Sequence, residues 1–243
     1  MFYDAFFADF KRKQMIYMEN MKDKIETEIE ALRKEANAGV QAYYSLSESH
    51  KLLAADKSLF DKIKAAPWFW ATVFSALQSV YFLSMRKFFD PSDQSHRFEK
   101  LIKICDGNIG LFSKKSLSQR RQNDFSSSAE LRAYVNKAFI PSGSFFNDFK
   151  NHVYQELDQL NFRQVYKTIA DKVIAHNEVV RPHEIELLFE GTNTSEIEQI
   201  LLLMERIATE FRSLWINGHK PNLLTVQLPL SKLVIDDVHK ALR

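Results

Sequence analysis

Apolar residues recur along most of this chain three and four positions apart, which is the spacing of one face of an α-helix. The pattern predicts a long first helix over about 7–54, kinked near 37–39, and an uninterrupted helix over about 145–179. A further helix begins after the polar segment 191–195 and ends at 218–221. Shorter helices fill the intervals, and no fixed-period repeat stands out. We therefore predict an all-α bundle with short connections.

The segment 65–85 has no formal charge and is rich in aromatic residues. It is long enough to span a bilayer. Thr72, Ser75 and Ser79, however, place hydroxyl groups on one face of the predicted helix. Packed membrane helices also carry such groups, but the next segment is polar and there is no second candidate span. We therefore expect 65–85 to form a central helix buried in the bundle, and we expect no membrane partner.

Composition favours the same fold class. Glycine and proline contribute six residues each, 12 of 243 or about 5%, where average usage is roughly 12%. So few turn-forming residues disfavour a many-stranded sandwich or barrel. The net charge of +2 neither requires nor excludes a nucleic-acid partner. A single cysteine, Cys105, cannot form an intramolecular disulfide, and the N-terminus has no secretory signal pattern. These features predict a buried Cys105 and a cytoplasmic location.

Several motifs that would indicate a cofactor or metal are missing. The sequence has no CxxC pair, no HExxH, no glycine-rich phosphate loop and no GxSxG elbow. The acid–histidine groups at 183–186 and 236–239 lack metal-ligand spacing, so we expect neither a metal nor another cofactor. The basic run of Lys114, Lys115, Arg120 and Arg121 either contacts phosphate groups or forms a solvated face.

The best candidate for chemistry lies within 166–178. His176 follows Ile169 by seven positions and Val165 by eleven, so it extends an apolar helical stripe. It also lies near the predicted end of a helix, where unpaired carbonyl groups favour a charged imidazole. A histidine in that position alone is more typical of a core or interface residue.

The surrounding residues resemble the HEPN family. The motif of that family is an arginine, then often Asp, Asn or His, several further residues, and a histidine near a helix end. Asp171 and His176 match it, and the Lys-Val-Ile-Ala-His-Asn sequence is similar to the abortive-infection (AbiU-like) branch. The apolar segment 70–90, which ends in Arg-x-x-x-Asp, resembles that branch too. The resemblance covers about 46–178 and implies one helical domain over 1–243, with a HEPN-like core at about 40–180 and flanking N- and C-terminal helices.

One position departs from the family motif, because Ala170 stands where the family has its arginine. A guanidinium group can neutralise charge that builds on a scissile phosphate, and a methyl group cannot. Lys167 and Lys172 are near in sequence, but α-helical spacing places neither beside residue 170. Whether the chain itself is catalytically silent therefore stays open at this stage.

The resemblance implies a metal-independent endoribonuclease that acts as a homodimer on an RNA substrate. In that scheme His176 is a general acid or base, Asp171 and the Ala170 position complete the catalytic motif, and Lys172 and Asn177 bind RNA. It also implies a toxin or phage-defence role, with an antitoxin or defence protein as partner. Two alternatives remain: a non-catalytic bundle that binds RNA or protein, and a scaffold without a nucleic-acid role.

Overall fold

The computed structural model describes residues 2–90, 97–175, 182–223 and 229–242. Within these ranges the chain is helical and contains no strand, which confirms the all-α prediction. Two short 3₁₀ turns lie at Ile109–Phe112 and Gln122–Asp124, and two π-helical segments lie at Phe162–Tyr166 and Ala170–Ala175. The α-helices are α1 Phe2–Ala55, α2 Lys57–Lys64, α3 Pro67–Phe89, α4 Phe98–Gly107, α5 Lys114–Arg121, α6 Ser128–Asn136, α7 Phe145–Gln159, α8 Lys167–Ile169, α9 Pro182–Glu190, α10 Thr194–Asn217 and α11 Pro229–Leu242.

The first helix, α1, runs through the whole bundle and packs against α3, α10 and α11. The helix is unbroken across 37–39, where the sequence predicts a kink. Gly39 has a packing role at this point. A Cβ at this position would lie 2.8 Å from Cδ2 of Leu201 and 3.1 Å from Cβ of Ser84. The missing side chain therefore lets α1 cross α3 and α10 at close range.

The core is rich in aromatic side chains and is built from several helices around the middle of α1. Phe146 of α7 lies 6.2 Å from Phe211 of α10, and Phe112 lies 5.3 Å from Trp215, measured between ring centroids. Burial of each such ring contributes about 1.5–3 kcal/mol to stability. Cys105 is fully buried among these side chains, as predicted.

The third helix, α3, has the predicted bounds but not the predicted environment. Its buried side chains begin only at Tyr81, whereas Trp68 is 86% exposed and Phe69 is 61% exposed. The prediction that 65–85 is buried throughout is therefore wrong. The first half of α3 packs antiparallel on the end of α1: the ring of Tyr43 meets that of Tyr81, and the later His50 meets the earlier Phe74. The fully buried side chains of α3 all lie in its second half. No helix within the described ranges is both long enough and apolar enough to cross a membrane.

The predicted uninterrupted helix over 145–179 is also wrong, because α7 ends at Gln159. Asn161 adopts a left-handed conformation, with φ 53° and ψ 25°. Asparagine accepts this conformation more readily than most residues with a Cβ, which makes it a suitable helix stop. The chain then re-enters the bundle through the two π-helical segments that flank α8.

Candidate functional site

The segment 162–175, which we call the motif segment, is fixed to the start of α10. The Tyr166 hydroxyl donates a hydrogen bond to Oε2 of Glu196 at 2.6 Å and accepts one from the backbone N–H of Asn193 at 2.9 Å. Burial of the phenol, together with the Glu196 carboxylate, raises the pKa of Tyr166. The neutral hydroxyl therefore persists at physiological pH and holds the motif segment in position.

The second π-helical segment, Ala170–Ala175, packs against α3. Ala170 has 0% of its surface exposed, and Ile169 beside it is also fully buried. A π-helix pairs residues five apart, so the regular α-helical spacing used in the sequence analysis does not hold across this segment. An arginine at position 170 would start from a buried Cβ and would have to extend out of the core.

Asp171 follows Ala170 and is shared by two cations. Its Oδ1 accepts a hydrogen bond from Nε of Arg86 in the last turn of α3, and its Oδ2 accepts one from Nζ of Lys167. The three side chains are 24%, 25% and 33% exposed for Arg86, Asp171 and Lys167, respectively. Burial raises the pKa of Asp171, but the hydrogen bonds from Lys167 and Arg86 outweigh burial, and the net shift is downward. The carboxylate is therefore charged at physiological pH and pairs with both cations.

The predicted site residues lie in different environments. Ala170 lies in the core, Asp171 lies in the ion-pair cluster, and Lys172 is exposed on the same π-helical segment. His176 and Asn177 lie outside the described residues. Lys167, which the sequence analysis discounted, contacts Asp171 directly.

Sequence reasoning missed the role of Arg86, although this residue was part of the Arg-x-x-x-Asp pattern. Asp90 of the same pattern is the C-cap residue of α3, and its carbonyl oxygen accepts a hydrogen bond from Nη1 of the buried Arg97 at 3.0 Å. The pattern thus combines one residue that faces the motif segment with one that ends α3 next to α4.

The basic run at 114–121 is largely structural. The guanidinium of Arg120 lies 4.0 Å above the Trp215 ring and donates hydrogen bonds to the carbonyl oxygens of Leu111 and Trp215 at 2.7 Å and 3.1 Å. Burial lowers the pKa of Arg120 to about 10. Arg121 pairs with Asp124 at 2.9 Å. Nζ of Lys114 donates to the carbonyl oxygen of Asn136 at 3.1 Å, so three of the four residues of this basic run make contacts within the fold.

The two acid–histidine groups do not form one cluster. Nε2 of His239 lies 2.8 Å from Oε1 of Glu48, which joins α11 to α1, and His183 is exposed on α9. Over the described ranges, no three or more His, Cys, Asp or Glu side chains are placed to hold one metal ion.

The fold is an all-α bundle in which a charged motif segment is held against the end of α3. The comparison with known families identifies the class of helical domain to which this bundle belongs. The chain belongs to the HEPN family, through its AbiU2 branch. The matching family model, described as AbiU2, covers residues 22–230, from the first part of α1 to the start of α11. No curated protein and no solved structure matches the chain.

Proposed function

We propose that this protein is a HEPN-type, metal-independent endoribonuclease of a toxin or phage-defence system, with activity reduced or abolished by Ala170. Membership of the AbiU2 branch supports the proposal that this is a HEPN-type protein of a defence system. The observation that carries the proposal is the position of Asp171, since the one motif residue whose contacts are described is ion-paired and partly exposed beside two cations. A charged, solvent-accessible motif suits a polyanionic substrate.

The proposed reaction is attack of a ribose 2′-oxygen on the adjacent phosphorus atom. The P–O5′ bond breaks, the 2′-hydroxyl loses its proton and the 5′-oxygen gains one, so that a cyclic phosphate and a 5′-hydroxyl end result. His176 transfers one of these protons as general acid or base. Negative charge increases on the non-bridging oxygens during attack, and a nearby cation stabilises it. Lys172 and Asn177 contact the RNA backbone in this scheme.

We also propose that the active form is a cytoplasmic homodimer packed around the part of the chain that contains His176. Two copies would then present their motif segments to one cleft. A dimeric mass in light scattering at micromolar concentration is the expected result, and a monomeric mass would contradict this part of the proposal. An antitoxin or defence protein that neutralises the enzyme is expected to co-purify when both are expressed together.

The decisive experiment restores the arginine. Ala170→Arg is expected to inhibit bacterial growth and to cleave RNA in the presence of EDTA, with a rate gain of about 100- to 1,000-fold, the usual effect of one charge-stabilising donor. Ala170→Met is the matched control, because it adds a side chain of similar length without charge at the same buried position. Ala170→Arg combined with His176→Ala should fold and be inactive.

Two outcomes would contradict the enzyme proposal. If Ala170→Arg folds but neither slows growth nor cuts RNA, the ribonuclease assignment fails. If cleavage disappears in EDTA and returns with magnesium, the chemistry is different from the one proposed here.

The second candidate is a non-catalytic bundle that binds RNA, which the buried alanine at position 170 favours. Phosphate contacts release counterions, so RNA binding should weaken steeply with salt. Binding without cleavage, by both the natural chain and Ala170→Arg, would support this candidate. If neither RNA binding nor RNA cleavage is observed, protein binding or scaffolding is the function that remains.

A further inference from the structure

A cleft between α4 and α7 is lined mainly by charged side chains. Four of them are cations and two are carboxylates: Arg97, Lys100, Lys103 and Lys150, and Glu99 and Asp106. The volume of the cleft is about 200 Å³. Sites that enclose a whole small molecule usually have volumes of about 300–1,000 Å³, so this cleft suits a compact charged group such as a phosphate.

The two carboxylates of the cleft have neutral hydrogen-bond donors. Oε1 of Glu99 accepts a hydrogen bond from the hydroxyl of Tyr154 at 2.7 Å. Oδ2 of Asp106 accepts one from Nδ2 of Asn147 at 3.5 Å. Within the described ranges, neither carboxylate forms an ion pair with a lysine of the cleft.

Lys103 and Lys150 form no hydrogen bond or ion pair with the residues that the structure describes. Lys100 differs from them, because its Nζ lies 2.8 Å from Oε1 of the buried Glu28. Lys103 is exposed on α4 and Lys150 is partly exposed on α7, so each helix contributes one unpaired ammonium group to the cleft. Positive charge on the walls of a cleft concentrates the electric field there and attracts anions.

The cleft is connected to the motif segment through Tyr154 of α7. The hydroxyl of Tyr154 bonds to Glu99 in the lining, and the guanidinium of Arg163 lies 5.1 Å from the centroid of its ring. Arg163 belongs to the motif segment, and its side chain is 56% exposed. A polyanion that extends from the cleft to the motif segment therefore meets a further exposed cation between them.

We infer that the cleft between α4 and α7 binds a phosphate group of the RNA backbone, away from the phosphate that is cleaved, and that Lys103 and Lys150 supply its positive charge. This inference rests on the RNA substrate of the proposed function. The cleft is too small to enclose a base together with the phosphate. The contact therefore positions the strand and does not read its sequence.

The test is fluorescence anisotropy with a labelled single-stranded oligoribonucleotide in EDTA, at several NaCl concentrations. Methyl groups on its 2′-oxygens block the proposed cleavage, so that binding is measured alone. Lys103→Gln combined with Lys150→Gln should raise the Kd about tenfold, because hydrogen bonds to a charged group are lost. Loss of one phosphate contact should also lower the slope of log K against log salt by about 0.7. Oligonucleotides of different base sequence should show the same effect.

The matched control is Lys62→Gln combined with Lys64→Gln. Both residues are exposed on α2 and line no part of the cleft, so this pair changes the net charge equally and should leave the salt slope unchanged. Asp106→Asn removes a carboxylate from the lining and should tighten RNA binding. Thermal unfolding shows whether each variant folds. If the double glutamine variant does not fold, Asp106→Asn decides the point.

Two results would overturn the inference and leave the ribonuclease proposal standing. One is RNA binding by the Lys103 and Lys150 double variant with the Kd and salt slope of the natural chain. The other is equal weakening by the α2 pair, since the effect would then come from overall charge. Unchanged or weaker binding by Asp106→Asn would likewise contradict the inference.

Further outcomes separate the inference from the proposed function. If inorganic phosphate or a 5′-mononucleotide binds through the two lysines while RNA binding does not depend on them, the cleft is a site for a small phosphate ligand and the inference is wrong. If RNA binds through the cleft but Ala170→Arg cuts no RNA, the inference holds and the ribonuclease proposal fails. If the natural chain does not bind RNA, the inference fails whatever Ala170→Arg does.

Discussion

The hydroxyl group of Tyr166 lies 2.6 Å from Oε2 of Glu196 and joins the motif segment to the first turn of α10. The same hydroxyl accepts the backbone N–H of Asn193, the N-cap residue of α10. One buried side chain therefore fixes the position of the motif segment relative to α10, a 24-residue helix that packs on α1. The motif segment is therefore held in place by this contact as well as by the ion pairs of Asp171.

Tyr166→Phe should loosen the motif segment. The change leaves the Asn193 N–H and the Glu196 carboxylate without their shared partner, at a cost of about 1–3 kcal/mol in the free energy of unfolding. Hydrogen–deuterium exchange of 162–175 should become faster. Tyr154→Phe removes a comparable bond to Glu99, of 2.7 Å, and should leave exchange of 162–175 as in the natural chain. Equal exchange in both variants would show that Tyr166 does not anchor the segment.

Gly39→Ala should destabilise the protein even though alanine is the better helix former. Alanine gains about 1 kcal/mol in helix propensity over glycine. Overpacking typically costs about 1–3 kcal/mol, and the new Cβ would lie 2.8 Å from Leu201 and 3.1 Å from Ser84. We expect a net loss of about 1 kcal/mol in urea unfolding. Gly107→Ala, with no atom within 4 Å of its new Cβ, should be neutral or stabilising. A stabilised Gly39→Ala would contradict the close helix crossing.

The attachment of α11 to α1 should weaken in acid. The hydrogen bond from His239 lowers the pKa of Glu48 below its ordinary value of 4.5, against an opposing effect of burial. The folded pKa is the lower one, so this stabilisation is complete above the ordinary value and is lost as the pH falls through the folded pKa. Amide exchange of 229–242 should accelerate over that pH range in the natural chain. Glu48→Gln should show fast exchange at neutral pH already, whereas Asp237→Asn, which changes an exposed pair, should behave like the natural chain.

Trp68→Ala should leave stability almost unchanged, within about 0.5 kcal/mol, because substitutions of exposed side chains have small effects. The same change at Trp215, which is only 2% exposed, should cost about 3–5 kcal/mol. Iodide quenching of tryptophan fluorescence should fall sharply in Trp68→Ala. A large loss of stability in Trp68→Ala would show that the first half of α3 is packed, contrary to its observed exposure.

The sequence by itself determined the all-α class, the bounds of α3 and the family, because these depend on local signals. Helical periodicity, a proline in the first turn and a proline after Asp90 act over a few residues. The stop at Asn161 was also local, and the asparagine itself could have indicated it. Asp171 and the alanine at position 170 could be recognised as motif positions for the same reason, because both belong to a short linear motif.

Only the tertiary structure decided which parts of these helices meet. Periodicity marks an apolar face but does not show how far other helices extend over it, so the exposure of Trp68 could not be predicted. The ion pair between Arg86 and Asp171 depends on the packing of α3 against a π-helical segment, and the two residues are 85 positions apart in sequence. Gly39 indicates a kink in the sequence, because glycine weakens helices locally. Its packing role follows from the closeness of Leu201 and Ser84, which are distant in sequence and meet it only in the folded bundle.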